Sequence, residues 1–266
     1  MLINYHLHTN YSVDAKGTVD DYCKKAVSHG FNDICFTNHQ EFHDLKNGNN
    51  DYSLTDEKMD HFFSEVAVAK RKYPSLKIKI GVELGYSKEY KKDIIEFTKK
   101  YPFDCIMGSV HWIGNYLYTN HKFPDELSVE ERHQSYFKAL NEMIRLGYCD
   151  YVGHFDVLHK NTPYISLQDY RPLIERCIKS MKENDIGFEL NTRGWKNSNK
   201  DSYPNAEMLK LLYDSGIRKV TIGSDCHNPE DFADGIKRGL ELLKQTGFKE
   251  ICTFSQRKAT PHKIII

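Results

Sequence analysis

Two histidines one residue apart, His6 and His8, are the first residues in the chain whose spacing could do chemistry. They fall in residues 2–9, a run that reads as a strand, and alternate side chains on a strand share a face. Both imidazoles therefore project to one side, as a two-nitrogen claw for a metal ion. The loop formers Thr9-Asn10-Tyr11-Ser12 then turn the chain and bring the carboxylate of Asp14 toward the same end. Alone the motif is weak: with 13 histidines in 266 residues, about 0.6 His-x-His pairs per chain arise by chance. Its weight depends on where the other His, Asp and Glu residues fall.

Short β-rich runs alternate with helical patterns from end to end. Residues 19–29 carry apolar or small side chains at helical spacing, with Thr18 as N-cap and Gly30 as the stop. Residues 33–39 read as a short strand ending in His39. The polar stretch 41–56, with Asn47-Gly-Asn-Asn-Asp51, is a loop long enough to serve an active site. Thr55 or Asp56 caps a helix that runs to about Tyr73. Residues 77–86 alternate and place Glu83 near a strand end; a helix over 88–100 leads to strand 103–111, which ends in His111. Residues 112–127 read as irregular, and a helix over 128–146 leads to Tyr151-Val-Gly-His154-Phe-Asp156. Helix 167–184 precedes a strand from Gly187 with Arg193 at its end, and helix 205–215 precedes strand 219–227, which carries Asp225 and His227. A helix over 229–246 and a strand over 249–254 close the chain.

Such alternation implies parallel strands joined by right-handed crossovers. Seven or eight strands in this length favour a closed α/β barrel over an open sheet, and no Gly-x-Gly-x-x-Gly follows the first strand. No linker or repeat divides the chain, so one domain over residues 1–266 is expected.

In a βα-barrel the C-terminal strand ends converge on one rim. His6, His8, His39, Glu83, His111, His154, Asp225 and His227 all fall at such ends. Singly each has an ordinary explanation: His154 as a hydrogen-bonded core histidine, Glu83 as a salt-bridged strand end, Asp225 as a helix cap. Eight meeting on one rim do not. His29, His61, His133 and His262 fall on helices or the tail and are expected to be structural. Nitrogen and oxygen donors without a cysteine cluster suit Zn²⁺, Mn²⁺ or Fe. There are more donors than one tetrahedral ion needs, which predicts two or three ions with Glu83 bridging. Clusters of this kind hydrolyse phosphate esters, because neighbouring ions activate a shared water and neutralise phosphoryl charge.

Composition narrows the partners. Lys and Arg total 37, as do Asp and Glu, and the lysine clusters are interleaved with acids. No nucleic-acid track is indicated. Seven widely spaced cysteines without Cys-x-x-Cys read as reduced core residues of a cytoplasmic protein. Neither a basic-then-apolar leader nor an apolar run of about 18 residues is present. The expected partner is a small phosphorylated metabolite, with no nucleic acid and no membrane. A nuclease would use the same metals but needs a basic groove. A non-catalytic binding protein would be expected to have lost donors, and none of the nine, counting Asp14, is missing.

Taken in order, His6-Leu-His8, Asp14, Thr-Asn-His39, Glu83, Ser-Val-His111, Gly-His154-Phe-Asp and Ser-Asp225-Cys-His227 resemble the motifs of the polymerase-and-histidinol-phosphatase (PHP) superfamily. The resemblance runs over essentially the whole chain. It implies a distorted (β/α)₇ TIM-like barrel with three divalent ions. Carried over by position, His6, His8, Glu83 and Asp225 would hold one ion, Glu83, His111 and His154 a second, and Asp14, His39 and His227 a third. Glu83, Asp225 and His227 would also be catalytic. Glu189-Leu-Asn-Thr-Arg-Gly, Pro204 and the closing Gly-Phe-Lys-Glu-Ile look most like the histidinol-phosphate phosphatase branch, which acts in histidine biosynthesis. Where that branch often shows Asp-Leu-Ile-Arg, this chain has Asp156-Val-Leu-His159-Lys160. In place of Asn-Thr-x-Gly-Leu-Arg it has Asn191-Thr-Arg193-Gly-Trp-Lys196. Lys160, Arg193 and Lys196 are the expected phosphate contacts, with His43 and His159 as candidates for the leaving-group acid.

Overall fold

The strands in chain order are β1 (Ile3–Leu7), β2 (Asp33–Phe36), β3 (His39–Gln40), β4 (Lys77–Gly85), β5 (Cys105–Ser109), β6 (Trp112–Ile113), β7 (Tyr116–Leu117), β8 (Tyr151–Val152), β9 (Gly187–Asn191), β10 (Val220–Gly223), β11 (Glu250–Ser255) and β12 (Lys258–Lys263). The computed structural model from which they are taken describes residues 1–46, 48, 51–114, 116–117, 127–197 and 200–265. Seven of them follow one another as β1-β2-β4-β5-β8-β9-β10, every pairing parallel. The last returns to the first: Asp225 N–H donates to the His6 carbonyl at 3.0 Å and His8 N–H to the Cys226 carbonyl at 3.2 Å. The result is a nearly closed single-domain barrel, as the βα alternation predicts.

Helices α1 (Val19–Ser28), α2 (Phe42–Lys46), α3 (Asp56–Lys72), α4 (Lys91–Lys100), α5 (Val129–Leu146), α6 (Leu167–Glu183), α7 (Ala206–Asp214) and α8 (Ile236–Thr246) complete the regular structure. Their starts are chemically marked. Thr18 and Asp21 form a reciprocal capping box on α1, as Ser128 and Glu131 do on α5, and Thr55 caps α3. The apolar spacing read in α1 is its buried face, with Val19, Tyr22, Cys23 and Ala26 turned inward.

Four local readings are corrected. The strand expected over 33–39 breaks at Thr37-Asn38, because both side chains accept bonds from β1 and its extension: Leu7 N–H reaches Thr37 Oγ1 at 3.2 Å and Thr9 N–H reaches Asn38 Oδ1 at 2.8 Å. Pairing then resumes as β3 against β4. The loop expected over 41–56 begins with α2, seated by Phe42 in the core. Of its Asn-Gly-rich part, only Gly48 and Asp51 are among the described residues. The stretch expected to be irregular after His111 starts as the antiparallel hairpin β6–β7, with residues 118–126 outside the described ones. The tail is a strand: β12 pairs antiparallel with β11 and includes His262.

That last hairpin packs at the N-terminal end of the barrel, opposite the predicted site. The Tyr5 hydroxyl accepts from Phe254 N–H at 3.1 Å and donates to Asp33 Oδ1 at 3.0 Å, while Arg257 pairs with Asp150. All seven cysteines are free and buried. No helix among the described residues is long and apolar enough to cross a membrane.

Candidate metal centre

At the other end of the barrel the predicted donors meet around Glu83, which is fully buried on β4. Its Oε2 lies 3.2 Å from His6 Nε2, 3.3 Å from His8 Nε2 and 3.0 Å from His39 Nδ1. Its Oε1 lies 3.1 Å from His111 Nε2 and 2.7 Å from His154 Nε2. Asp225 Oδ1 is 3.5 Å from both His6 Nε2 and His8 Nε2. Farther out, Asp14 Oδ2 is 3.3 Å from His227 Nε2 and 3.9 Å from His39 Nε2. All nine predicted donors are thus brought together.

The spacing fits metal ions. A tetrahedron of ligands at about 2.1 Å from an ion has edges of about 3.4 Å, close to the separations among His6, His8, Glu83 and Asp225. The Nε2 of His8 and the Nδ1 of His39 are buried, and their close approaches to Glu83 Oε2 lack hydrogen-bond geometry, an arrangement that is costly unless something electron-poor sits between these donors. Burial alone would raise the carboxyls of Glu83 and Asp225. The histidines around them, His6 foremost, overcome it and hold both well below the usual range, in the ionised state that ligates cations.

Backbone and neighbours fix the donors. His154 and Asp225 sit at φ 24° and 51°, left-handed conformations that non-glycine residues adopt at a cost. The Ser109 hydroxyl donates to Glu83 Oε1 at 2.7 Å. His6 Nδ1 contacts Glu189 Oε1 at 2.8 Å, and His111 Nδ1 contacts Glu41 Oε1 at 2.6 Å. Each of these carboxylates orients the far nitrogen of its ring toward the cluster. Two glycines make room for them. A Cβ at Gly223 would lie 2.2 Å from Glu189 Oε1, and one at Gly85 would lie 2.0 Å from Glu41 Oε2.

Glu41, Glu189 and Ser109 are not among the site residues expected from the sequence. A usable signal existed for two of them. Glu189 is the lone carboxylate of its strand, in alternation with Asn191, and Glu41 lies two residues past His39.

A cavity of about 250 Å³ opens over the donors, with Tyr52, Trp112, Val157, Lys160, Arg193 and Tyr203 among the other residues of its wall. Lys160 closes a 3₁₀ turn over Val157–Lys160, and burial lowers its ammonium pKa. Of the five expected substrate contacts, Lys160 and Arg193 line the cavity. Lys196 does not: it pairs with Asp231 at 2.7 Å and with Asp234. His43 stacks on Trp112 with ring centroids 4.1 Å apart. His159 is buried in a separate cluster, 3.1 Å from His133 and stacked on Tyr164. The histidines expected to be structural lie outside the centre, His29 bonding Lys25 O and His262 bonding Thr253.

Residues 4–193 match the family model of the PHP domain. The chain belongs to the PHP domain family. It is 27% identical to the histidinol-phosphatase of Lactococcus lactis, over 98% of this chain and 97% of that one. To the histidinol-phosphatase of Bacillus subtilis it is 25% identical, over 89% and 97%. Among solved structures, this PHP barrel is similar to the histidinol phosphate phosphatase of Lactococcus lactis in complex with zinc, L-histidinol and phosphate. The TM-score is 0.86 at 26% identity, covering 97% of this chain and 98% of that chain. A Listeria monocytogenes structure, TM-score 0.73 at 18% identity over 89% and 99%, shares the fold.

Proposed function

We propose that this PHP chain is a metal-dependent phosphatase that holds three divalent ions (Zn, Mn or Fe) and hydrolyses L-histidinol phosphate to L-histidinol, a cytoplasmic step of histidine biosynthesis. The observation that carries the reading is the position of Glu83, whose two oxygens each face a different set of histidines, as a bridging carboxylate must. One ion would take His6, His8, Glu83 and Asp225, a second Glu83, His111 and His154, and a third Asp14, His39 and His227. The Lactococcus lactis complex with zinc, L-histidinol and phosphate supports the metal and the substrate class.

When bound, the ions lower the pKa of water and offset charge on the phosphoryl oxygens. The chain's own residues do the rest. Glu189 and Glu41 keep His6 and His111 aimed inward, and Glu83, Asp225 and His227 fix the inner face of the site. Arg193 offers a planar fork for the phosphate, and Lys160, which lines the same cavity, adds a point charge. Tyr52 and Trp112 enclose the remainder of the ester and exclude water.

The test is kcat/KM for L-histidinol phosphate beside p-nitrophenyl phosphate, a panel of sugar and nucleoside monophosphates, and a single-stranded oligonucleotide, with bound metal counted by elemental analysis. The expected result is more than one ion per chain and a preference for histidinol phosphate above about tenfold, or 1.4 kcal/mol of transition-state discrimination. A smaller preference would assign another phosphomonoester, and preference for the oligonucleotide would make the chain a nuclease. Metal binding without any turnover would make it a binding protein.

A further inference from the structure

We propose that Asp231 is a positioning residue for the phosphate-binding side of this site: it holds Arg193 at the cavity rim and keeps Lys196 away from it. The proposal rests on the phosphatase reading above.

Arg193 opens the 3₁₀ turn Arg193–Lys196 that follows β9. Its backbone N–H is held by Asn191 Oδ1 at 2.9 Å, and the Asn191 amide in turn donates to Asp225 Oδ2 at 3.2 Å. The root of the side chain is thus tied to a proposed metal ligand. Its tip is tied elsewhere, with Nη1 donating to Asp231 Oδ2 at 3.2 Å. Asp231 ends the 3₁₀ turn Pro229–Asp231, four residues beyond His227, so the loops after β9 and β10 meet through this pair. A second tie reinforces them, the Thr192 hydroxyl donating to the Asp234 carbonyl at 2.6 Å.

A free arginine loses rotamer freedom when it grips an anion, and a contact that already restricts it removes part of that cost. Guanidinium carries five N–H donors, and Asp231 engages one nitrogen, leaving donors for a bidentate phosphate contact. Lys196 is placed differently. The other Asp231 oxygen accepts from it at 2.7 Å, and Asp234 also pairs with it. Burial opposes the ammonium charge, but the two carboxylates overcome it and raise its pKa. An ammonium shared by two acids and absent from the cavity wall is a strut between loops. One carboxylate therefore sorts two neighbouring cations into a phosphate contact and a brace.

The experiment is a double-mutant cycle on the metal-replete protein. Asp231→Ala and Asp231→Asn are each made in the wild-type and Arg193→Ala backgrounds. KM and kcat for p-nitrophenyl phosphate and the inhibition constant of inorganic phosphate are then measured. The expected result is that Asp231→Ala weakens both KM and phosphate inhibition about fivefold with kcat altered by roughly twofold at most. Asp231→Asn, which keeps an acceptor oxygen, should fall between, and both effects should vanish once Arg193 is gone. Tighter phosphate binding in Asp231→Ala would mean that the carboxylate only repels phosphate, and overturns the proposal. A fivefold loss that persists without Arg193 overturns it as well. A wild type that neither hydrolyses the ester nor is inhibited by phosphate defeats the phosphatase reading and this proposal together. An active wild type with an unaltered Asp231→Ala defeats only the role of Asp231.

Discussion

Glu189 and His6 meet at 2.8 Å between Oε1 and Nδ1, both side chains fully buried. The second oxygen of Glu189 accepts the backbone N–H of His154 at 3.0 Å. One carboxylate thus orients a donor in each of two proposed ion sites. Glu189→Gln is expected to keep the fold and weaken metal binding by about 10–100-fold, the usual effect of losing an orienting partner. Competition against a chelating indicator measures it, and unchanged affinity would remove Glu189 from this role.

Replacing Glu83 by Gln should abolish turnover on any phosphomonoester, because an amide cannot bridge two cations as a carboxylate does. Circular dichroism should stay that of the wild type, since the residue lies at the site end of β4 and not among the apolar side chains of the core. Retention of more than about a tenth of wild-type kcat would show that Glu83 does not bridge.

Arg193→Ala is expected to raise KM by at least about tenfold, and to lower kcat to the extent that the phosphate contact tightens in the transition state. Lys196→Ala should do less, because its ammonium is engaged by Asp231 and Asp234. Steady-state kinetics of the two variants side by side decide it, and a larger loss for Lys196→Ala would reverse the assignment.

At the opposite end of the barrel, burial pushes the Asp33 carboxyl up to about 7, against the bond it accepts from the Tyr5 hydroxyl. In the unfolded chain the same group titrates near 3.9. Between about pH 4 and pH 7 the folded state therefore keeps a proton that the unfolded state has released, and stability falls as pH rises through that window. The loss is roughly 4 kcal/mol if the whole shift is realised. Urea denaturation of metal-replete Asp33→Asn should match the wild type near pH 4 and exceed it at pH 8. Parallel pH profiles for the two proteins would show that Asp33 carries no such penalty.

The barrel and its nine rim donors were legible because both rest on short-range rules. Strand periodicity gives the face of His6 and His8, and the βα alternation gives the end at which His39, His111 and Asp225 emerge. What escaped depends on contacts across the barrel. Glu189 and His6 are 183 residues apart, and nothing local to either announces the other. The fate of Lys196 turned on Asp231, 35 residues on, to which no short-range pattern connects it. The break between β2 and β3 came from Thr37 and Asn38 bonding β1 and its extension, a choice made by the neighbouring strand and not by propensity.

The left-handed backbone at His154 and Asp225 sets two selective pressures against each other. Glycine would relax the backbone at both positions, so variants of the metal-free chain screened for thermal tolerance alone should enrich glycine at 154 and 225. Screened for turnover, the same library should reject it, since the imidazole and carboxylate would be gone. These two sites are where an engineering campaign that ignores activity would erase the enzyme first.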